Sequence, residues 1–171
     1  MARKSPVALR FEKASPVDAR GLAELRTAVA VDLTARWGKG HWSFKTSEKG
    51  ALLSIRSSHV TLGWHGEDLA ASFSLTTKKP WAIDKSCFTP CDQPLYLVSV
   101  AVAPRFQGQG MGALCLAEAE RVARAWPADA LRLDTYDSDA GAARFYACGG
   151  LREVGRAVYR GTPLRYFEKV W

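Results

Sequence analysis

The sequence predicts an α/β fold in which a mixed sheet of about seven strands carries helices on both faces. Three observations lead there. Segments with the two-residue period of a half-buried strand alternate with segments of helical period, in the order strand, two helices, three strands, helix, strand, helix, two strands. One strand, Leu95 to Val102, is almost wholly apolar and rich in Val, as suits a central strand covered on both faces. The 171 residues, 47% hydrophobic and 24% charged, are the size of one domain, long enough by area scaling to bury roughly 70% of their unfolded surface. A single domain over 1–171 is therefore expected, with no repeat or low-complexity tract.

Val7 to Lys13 sets Val7, Leu9 and Phe11 against Arg10 and Glu12 and reads as the first strand. Ser15-Pro16 offers an N-cap with proline at the first helical position, and Leu22, Leu25, Val29 and Leu33 follow at helical spacing. Trp37 to Phe44 is broken by Gly38 and Gly40 and predicts a loop. Ser47 caps a second helix through about Ser57, after which His59 to Trp64 and Leu69 to Leu75 flank a hairpin turn at His65 to Asp68. Pro80, Pro90 and Pro94 forbid regular structure over most of Thr76 to Pro94, and the length of that loop marks it as a candidate substrate-facing segment.

After Leu95 to Val102, stopped by Pro104, a helix from Met111 places Cys115, Ala119, Val122 and Trp126 on one face and ends at Pro127. Ala130 to Tyr136 alternates as a strand beside the central one. Ser138-Asp139 is positioned to cap a short helix reaching Cys148, which Gly149-Gly150 stops in the left-handed manner. Arg152 to Tyr159 and Leu164 to Trp171 close the sheet around a turn at Arg160 to Pro163.

The chemistry concentrates where the central strand meets the following helix. Gly108, Gly110 and Gly112 present bare backbone N–H groups at the positive end of a helix dipole, an arrangement that holds an anion. The spacing lacks the Lys and Ser or Thr of a Walker loop and the third glycine position of the dinucleotide fingerprint, which argues against a nucleotide triphosphatase and a Rossmann dehydrogenase. Gln107-Gly108-Gln109-Gly110-Met111-Gly112 instead fits Gln/Arg-x-x-Gly-x-Gly/Ala after an apolar strand ending in Val-x-Pro. This resembles the acyl-CoA-binding motif of the GNAT superfamily of N-acetyltransferases. The resemblance implies the GNAT fold with its mostly antiparallel sheet and acetyl-CoA as acyl donor. It further implies that the amides of Gln107, Gly108, Gln109, Gly110, Met111 and Gly112 wrap the pyrophosphate of coenzyme A, and that Val100, Ala101 and Val102 meet its pantetheine arm.

A second GNAT signature, Asn-x-x-Ala-x-x-x-Tyr-x-x-x-Gly-Phe, finds Asp139, Ala142, Tyr146, Gly150 and Leu151 at its positions. Asp139 replaces an amide near the cofactor with a negative charge, and Leu151 replaces the Phe; Tyr146 is intact. The resemblance implies transfer of an acetyl group to a primary amine by direct attack on the thioester, with Tyr146 protonating the departing thiolate and a backbone N–H near Val102 polarising the carbonyl. Where related enzymes often carry a glutamate, the strand offers Ser99, so the base stays open among Asp134, Asp137, Glu12 and His41. Trp37, His41, Trp42 and Trp81 are candidates for an acceptor pocket, though tryptophans in such segments are more often structural staples.

The net charge of +7 admits a phosphorylated cofactor, an acidic substrate or nucleic acid. The basic residues are scattered and no helix-turn-helix, zinc-finger or RNP pattern occurs, so nucleic acid is not expected. The four cysteines form no CxxC pair and read as reduced, mostly buried small hydrophobes, with no metal expected. No stretch has the apolar core of a signal peptide or the length of a membrane span, which predicts a cytoplasmic protein away from membranes. The expected partners are acetyl-CoA and an amine acceptor, a small molecule by preference, with a homodimer left open. The readings that compete with an enzyme are a non-catalytic acyl-CoA-binding domain of the same fold and a basic nucleic-acid-binding protein.

Overall fold

Seven strands form one sheet in the order β1-β2-β3-β4-β5-β7-β6, built from β1 (Arg10–Lys13), β2 (His59–His65), β3 (Asp68–Thr76), β4 (Pro94–Val102), β5 (Ala130–Tyr136), β6 (Arg152–Tyr159) and β7 (Thr162–Val170). The computed structural model describes residues 8–171. Val7, the start of the predicted first strand, lies outside them, and pairing begins at Arg10. Every neighbouring pair is antiparallel except β4 with β5. The parallel pair exists because α3 (Met111–Ala125) returns the chain between them as a crossover. Among the described residues there are three further α-helices: α1 (Ala19–Trp37), α2 (Glu48–Ser57) and α4 (Ala143–Cys148).

α3 and α4 cover one face. Cys115, Leu116, Ala119 and Ala123, spaced three and four apart, pack with Tyr146 of α4 on Phe73, Leu75, Leu95, Leu97, Leu131, Leu133 and Phe167. α1 and α2 cover the β1–β4 half of the other face: Leu22, Ala23 and Ala51 meet Val60 and Leu62, and Leu25 meets Ala101 and Ala103. Each fully buried Leu or Phe stabilises the fold by about 1.5–3 kcal/mol. Among the described residues no α-helix covers the β5–β7 half of that second face. It is covered by the segment between β3 and β4, which drops Ile83 and Phe88 onto Tyr96, Leu164 and Tyr166.

That covering role revises the sequence reading of Thr76 to Pro94. Most of the segment is a lid on the sheet, pinned by charge. Buried Glu168 accepts from the Thr89 N–H at 3.1 Å and from Arg152 at 2.7 Å. Arg132, cross-strand from Glu168, donates to the Thr89 carbonyl. The segment's two ends still border open depressions, Thr76 to Trp81 on one and Asp92 to Pro94 on another.

Several boundaries also move. A single 3₁₀ turn, Pro16–Asp18, precedes α1, and α1 runs on through Trp37, which the glycine pattern had assigned to the loop. The β6–β7 turn contracts to Arg160 and Gly161, both at positive φ (48° and 79°), the geometry that matches the twist of a two-residue hairpin. Cys115 is buried, Cys87 and Cys91 are half-buried, and Cys148 is exposed at the end of α4, contrary to the expectation of mostly buried cysteines.

Candidate active site

β4 and β5 pair only over Pro94–Tyr96 and Ala130–Arg132 and then part. The cause lies within β4. Its pairing with β3 slips between Ser72 and Ser74, so that Ala101 and Val98 span three steps against two, and Ser99 adopts φ 53°. Such a bulge bends a strand and increases its twist. The consequence is that β4 from Val98 onward has a strand on its β3 side only. The expectation of cover on both faces therefore holds for Leu95–Leu97, whereas Ser99 is exposed and Val98, Val100 and Val102 are half-buried.

The glycine turn follows. Pro104–Phe106 form a 3₁₀ turn in which the Gln107 N–H donates to the Pro104 carbonyl at 3.2 Å. The Gln107 side chain donates to the Val102 carbonyl at 3.0 Å and accepts from Arg36 at 3.2 Å, tying the strand end to α1. Gln107 is thus engaged internally, and the run of free donors begins one residue later than the motif suggests. Among the described residues no acceptor meets the N–H groups of Gly108, Gln109, Gly110, Met111, Gly112 or Ala113; the first helical bond is Leu114 to Gly110.

The three glycines have different reasons. Gly108 and Gly110 sit at φ 70° and 87°, and a Cβ at either would meet nothing within 4 Å. They are required by backbone conformation and face open space. Gly112 lets α3 approach α4: a Cβ there would lie 3.2 Å from the Phe145 ring. The Met111 side chain is buried, so only its N–H reaches the turn's outer side, and the Gln109 amide is turned back to the Arg105 carbonyl at 3.0 Å.

A closed apolar crevice, too small to admit a water molecule, lies beneath this turn between β4, α3 and α4, with Val100, Cys115, Phe145 and Tyr146 among its walls. Tyr146 is only 7% exposed and packs on Phe145 and Phe167 with ring centroids 5.1 and 6.1 Å away. Its hydroxyl makes no hydrogen bond among the described residues. Burial, then the nearby Asp134 charge, hold its pKa far above the usual phenol range. The same burial pushes the Cys115 thiol up to about 12. Asp139, by contrast, is exposed in the bend before α4 and lines none of this crevice. The helix starts later than predicted, at Ala143, and is set by the Ala142 N–H donating to Thr135 Oγ1 at 2.9 Å.

Of the four candidate bases, Asp134 sits on the α1–α2 side of the sheet beside β4, and the other three are compromised. Glu12 is paired with Arg10 on the far edge strand. Asp137 faces Arg156 at 3.4 Å and Arg165 at 3.8 Å. His41 is exposed and bonded to Thr162 at 2.9 Å. Asp134 alone has no ion-pair or side-chain hydrogen-bond partner among the described residues. It lies two residues past the last β4–β5 pair and cross-strand from Tyr166. Burial raises its pKa above the ordinary carboxylate value.

Two depressions open on this side. One, of about 450 Å³, lies between Leu53 and Ser54 of α2, Thr76, Lys78, Trp81 and Val98. The other, of about 600 Å³, lies between Lys39, His41 and Phe44 and the β6–β7 turn at Tyr159 and Arg160. Trp81 is 82% exposed and borders the first. Trp42 is a staple, with its ring 5.2 Å from that of Tyr136 and its N–H on the Gly38 carbonyl at 2.9 Å. Trp37 lines neither depression. Sequence reasoning passed over Arg26, which sits on the inward stripe of α1 between Leu22 and Ala30 and donates to Ser74 of β3 at 3.0 Å. A charged residue in an apolar stripe was the available signal.

The model of the acetyltransferase (GNAT) family matches residues 31–149. Nothing among curated proteins matches the sequence. Solved structures share the fold at low identity. A GNAT-family acetyltransferase from Listeria monocytogenes is 19% identical, with a TM-score of 0.75 over 95% of each chain. The yncA protein of Salmonella typhimurium, solved with acetyl-CoA, is 16% identical, with a TM-score of 0.70 over 95% of this chain and 94% of that one. A Bacillus subtilis acetyltransferase in complex with CoA is 16% identical, with a TM-score of 0.64 over 95% and 99%. With a strand that parts from its parallel neighbour, a run of free amides at its end and a family model spanning most of its length, this chain belongs to the GNAT acetyltransferase family.

Proposed function

We propose that the protein is an acetyl-CoA-dependent N-acetyltransferase, a single domain over 1–171, that acts on the primary amine of a small molecule. The observation that carries this reading is the unpaired edge of β4 beyond Tyr96, with free main-chain donors at its end on one side and an unpaired carboxylate on the other. The acetyl-CoA and CoA held by two of the structures it resembles support the choice of donor.

The chain's residues fit that donor. Six consecutive free N–H groups at the start of α3 suit a pyrophosphate, and the space before Gly108 and Gly110 admits it. The unpaired edge of β4 through Val100, Ala101 and Val102 suits an amide-bearing arm, and a free N–H there suits a carbonyl oxygen gaining charge. Acetyl-CoA supplies an acetyl group activated as a thioester, and the amine attacks it directly: an N–C bond forms as the C–S bond breaks. Asp134 takes the proton from the acceptor's ammonium, which its raised pKa favours.

Tyr146 holds a phenolic proton for the departing sulfur. Its own pKa is high, which alone would make it a poor acid. A departing thiolate that leaves water beside the apolar residues around Tyr146 gains proton affinity in the same way, which offsets that deficit. The cysteines, all free, accord with a reducing compartment such as the cytoplasm, and among the described residues no helix is long and apolar enough to cross a membrane.

An acetyl-CoA-dependent thiol-release screen over amines, polyamines, aminoglycosides, amino acids and peptides tests the reading. Release that depends on one class of amine is expected. Tight coenzyme A binding with no acetylation of any amine would make the chain a binding domain.

A further inference from the structure

Arg144 is a cation without a counterpart. It lies in the first turn of α4 and is exposed, and among the described residues it has no ion pair and no side-chain hydrogen bond.

The packing of α4 on α3 fixes where that charge stands. A Cβ at Gly112 would meet the Phe145 ring, and a Cβ at Gly149 would meet the Leu116 side chain. From one contact to the next both helices advance four residues, so α3 and α4 run side by side in the same direction with their N-terminal ends level. The groove between them, about 320 Å³, is lined by Ala113, Ala117 and Glu120 of α3 and by Phe145 and Cys148 of α4. Arg144 lies one turn before Cys148 on the same exposed stripe of α4. It therefore stands at the Ala113 end of the groove, beside the last free N–H of the glycine turn.

A charge is needed there. The free N–H groups and the helix dipole behind them supply about half an elementary charge. Coenzyme A carries a pyrophosphate and, on the ribose that bears it, a phosphate monoester of about −1.5 to −2 charge at neutral pH. The two arginines that flank the turn are engaged, Arg36 with Asp32 at 2.6 Å and with Gln107 at 3.2 Å, and Arg105 with Asp68 at 2.8 Å. Lys169, in the lining of the groove, donates to both oxygens of Glu120 at 2.8 and 2.9 Å. Of these four cations Arg144 alone has no carboxylate partner among the described residues.

We infer that Arg144 is the receptor for the 3′-phosphate of coenzyme A and makes the site select this coenzyme over its dephospho form. The main-chain N–H groups hold any pyrophosphate, whereas the fork of a guanidinium reads a second phosphate group. With the pyrophosphate on Gly108–Ala113 and the adenosine entering the groove from Ala113, the 3′-phosphate of the same ribose comes to the Arg144 stripe.

The inference rests on the reading of acetyl-CoA as donor, and the test separates the two. Calorimetry on the full chain compares coenzyme A with dephospho-coenzyme A. Coenzyme A should bind roughly 10-fold or more tightly than its dephospho form. Arg144→Gln should weaken coenzyme A to the level of dephospho-coenzyme A and leave the dephospho form where it was, and Arg144→Lys should keep part of the difference. A competition on the unaltered protein needs no variant: adenosine 3′,5′-bisphosphate should displace coenzyme A better than adenosine 5′-phosphate. Equal affinity of the two coenzymes, or a ratio unchanged by Arg144→Gln, overturns the inference and leaves the donor reading standing. Equal weakening of both coenzymes in that variant would assign Arg144 to the pyrophosphate and overturns it as well. If neither coenzyme binds the unaltered protein, the donor reading fails and takes the inference with it.

Discussion

In the proposed reading, the two sides of β4 hold their ligands in opposite ways. On the α3 side the polar groups are main-chain N–H groups of one continuous turn, Gly108 to Ala113, above an apolar crevice. On the α2 side they are side chains from distant segments: Lys78 of the lid segment and Asp134 of β5. A turn of backbone donors accepts whatever carries a phosphate and is insensitive to most side-chain changes. A set of separate charges recognises one pattern of charge and can be altered one residue at a time. The first arrangement suits a common donor, the second a specific acceptor.

Substitutions on the two sides should therefore fail differently. The largest effect is expected at Gly110→Asp, which strains a backbone at φ 87° and sets a carboxylate in the path of the phosphates. Calorimetry should find coenzyme A binding abolished in a protein that circular dichroism shows folded. Gln107→Ala should weaken binding only several-fold, because that residue acts by tying Val102 to α1.

Asp134→Asn should lower kcat by about 10³-fold with coenzyme A affinity intact. It should also stabilise the protein, and the sign follows from the raised pKa. Below the ordinary carboxylate value of 3.8 the group is neutral folded and unfolded, and the substitution changes little. As pH rises through the raised folded value, ionisation costs the native state an amount that Asn does not incur, so the gap in Tm should widen toward neutral pH. A Tm gap that is constant with pH would remove Asp134 from the list of buried ionisable groups.

Tyr146→Phe should cost about 10²-fold in kcat with unchanged coenzyme A affinity. An unchanged rate on a substrate limited by chemistry would make Tyr146 a packing residue of the cluster with Phe145 and Phe167. The smallest effect should separate two tryptophans that look alike in sequence. Trp81→Ala should raise the amine KM a few-fold and leave Tm alone, because Trp81 only borders the depression. Trp42→Ala should lower Tm, because it removes the contact with Tyr136.

This asymmetry also governs what could be read from sequence. The glycine turn, the helix behind it and the position of Tyr146 are local, and their signals lie within Leu95 to Leu151 of the chain. The bulge at Ser99 is not, since a positive φ on serine has no composition cue and depends on the pairing of β4 with β3. Asp134 could be named as a possible base, but its lack of a partner, against the pairing of Asp137 with Arg156 and Arg165, appears only when β5 through β7 are assembled. The lid role of Ile83 and Phe88 was hidden by prolines that forbid regular structure without forbidding burial. Arg26 stood in plain view within an apolar stripe, and its partner Ser74 lies 48 residues away.

The most direct measurement is amide hydrogen exchange on the unaltered protein with and without coenzyme A. The account predicts slowed exchange at Gly108–Ala113 and along Val98–Val102, with α2 and the residues around Trp81 unchanged until an amine is added. Slowing confined to α2 and the lid segment, or exchange at Gly108–Ala113 that ignores a bound coenzyme A, would contradict it.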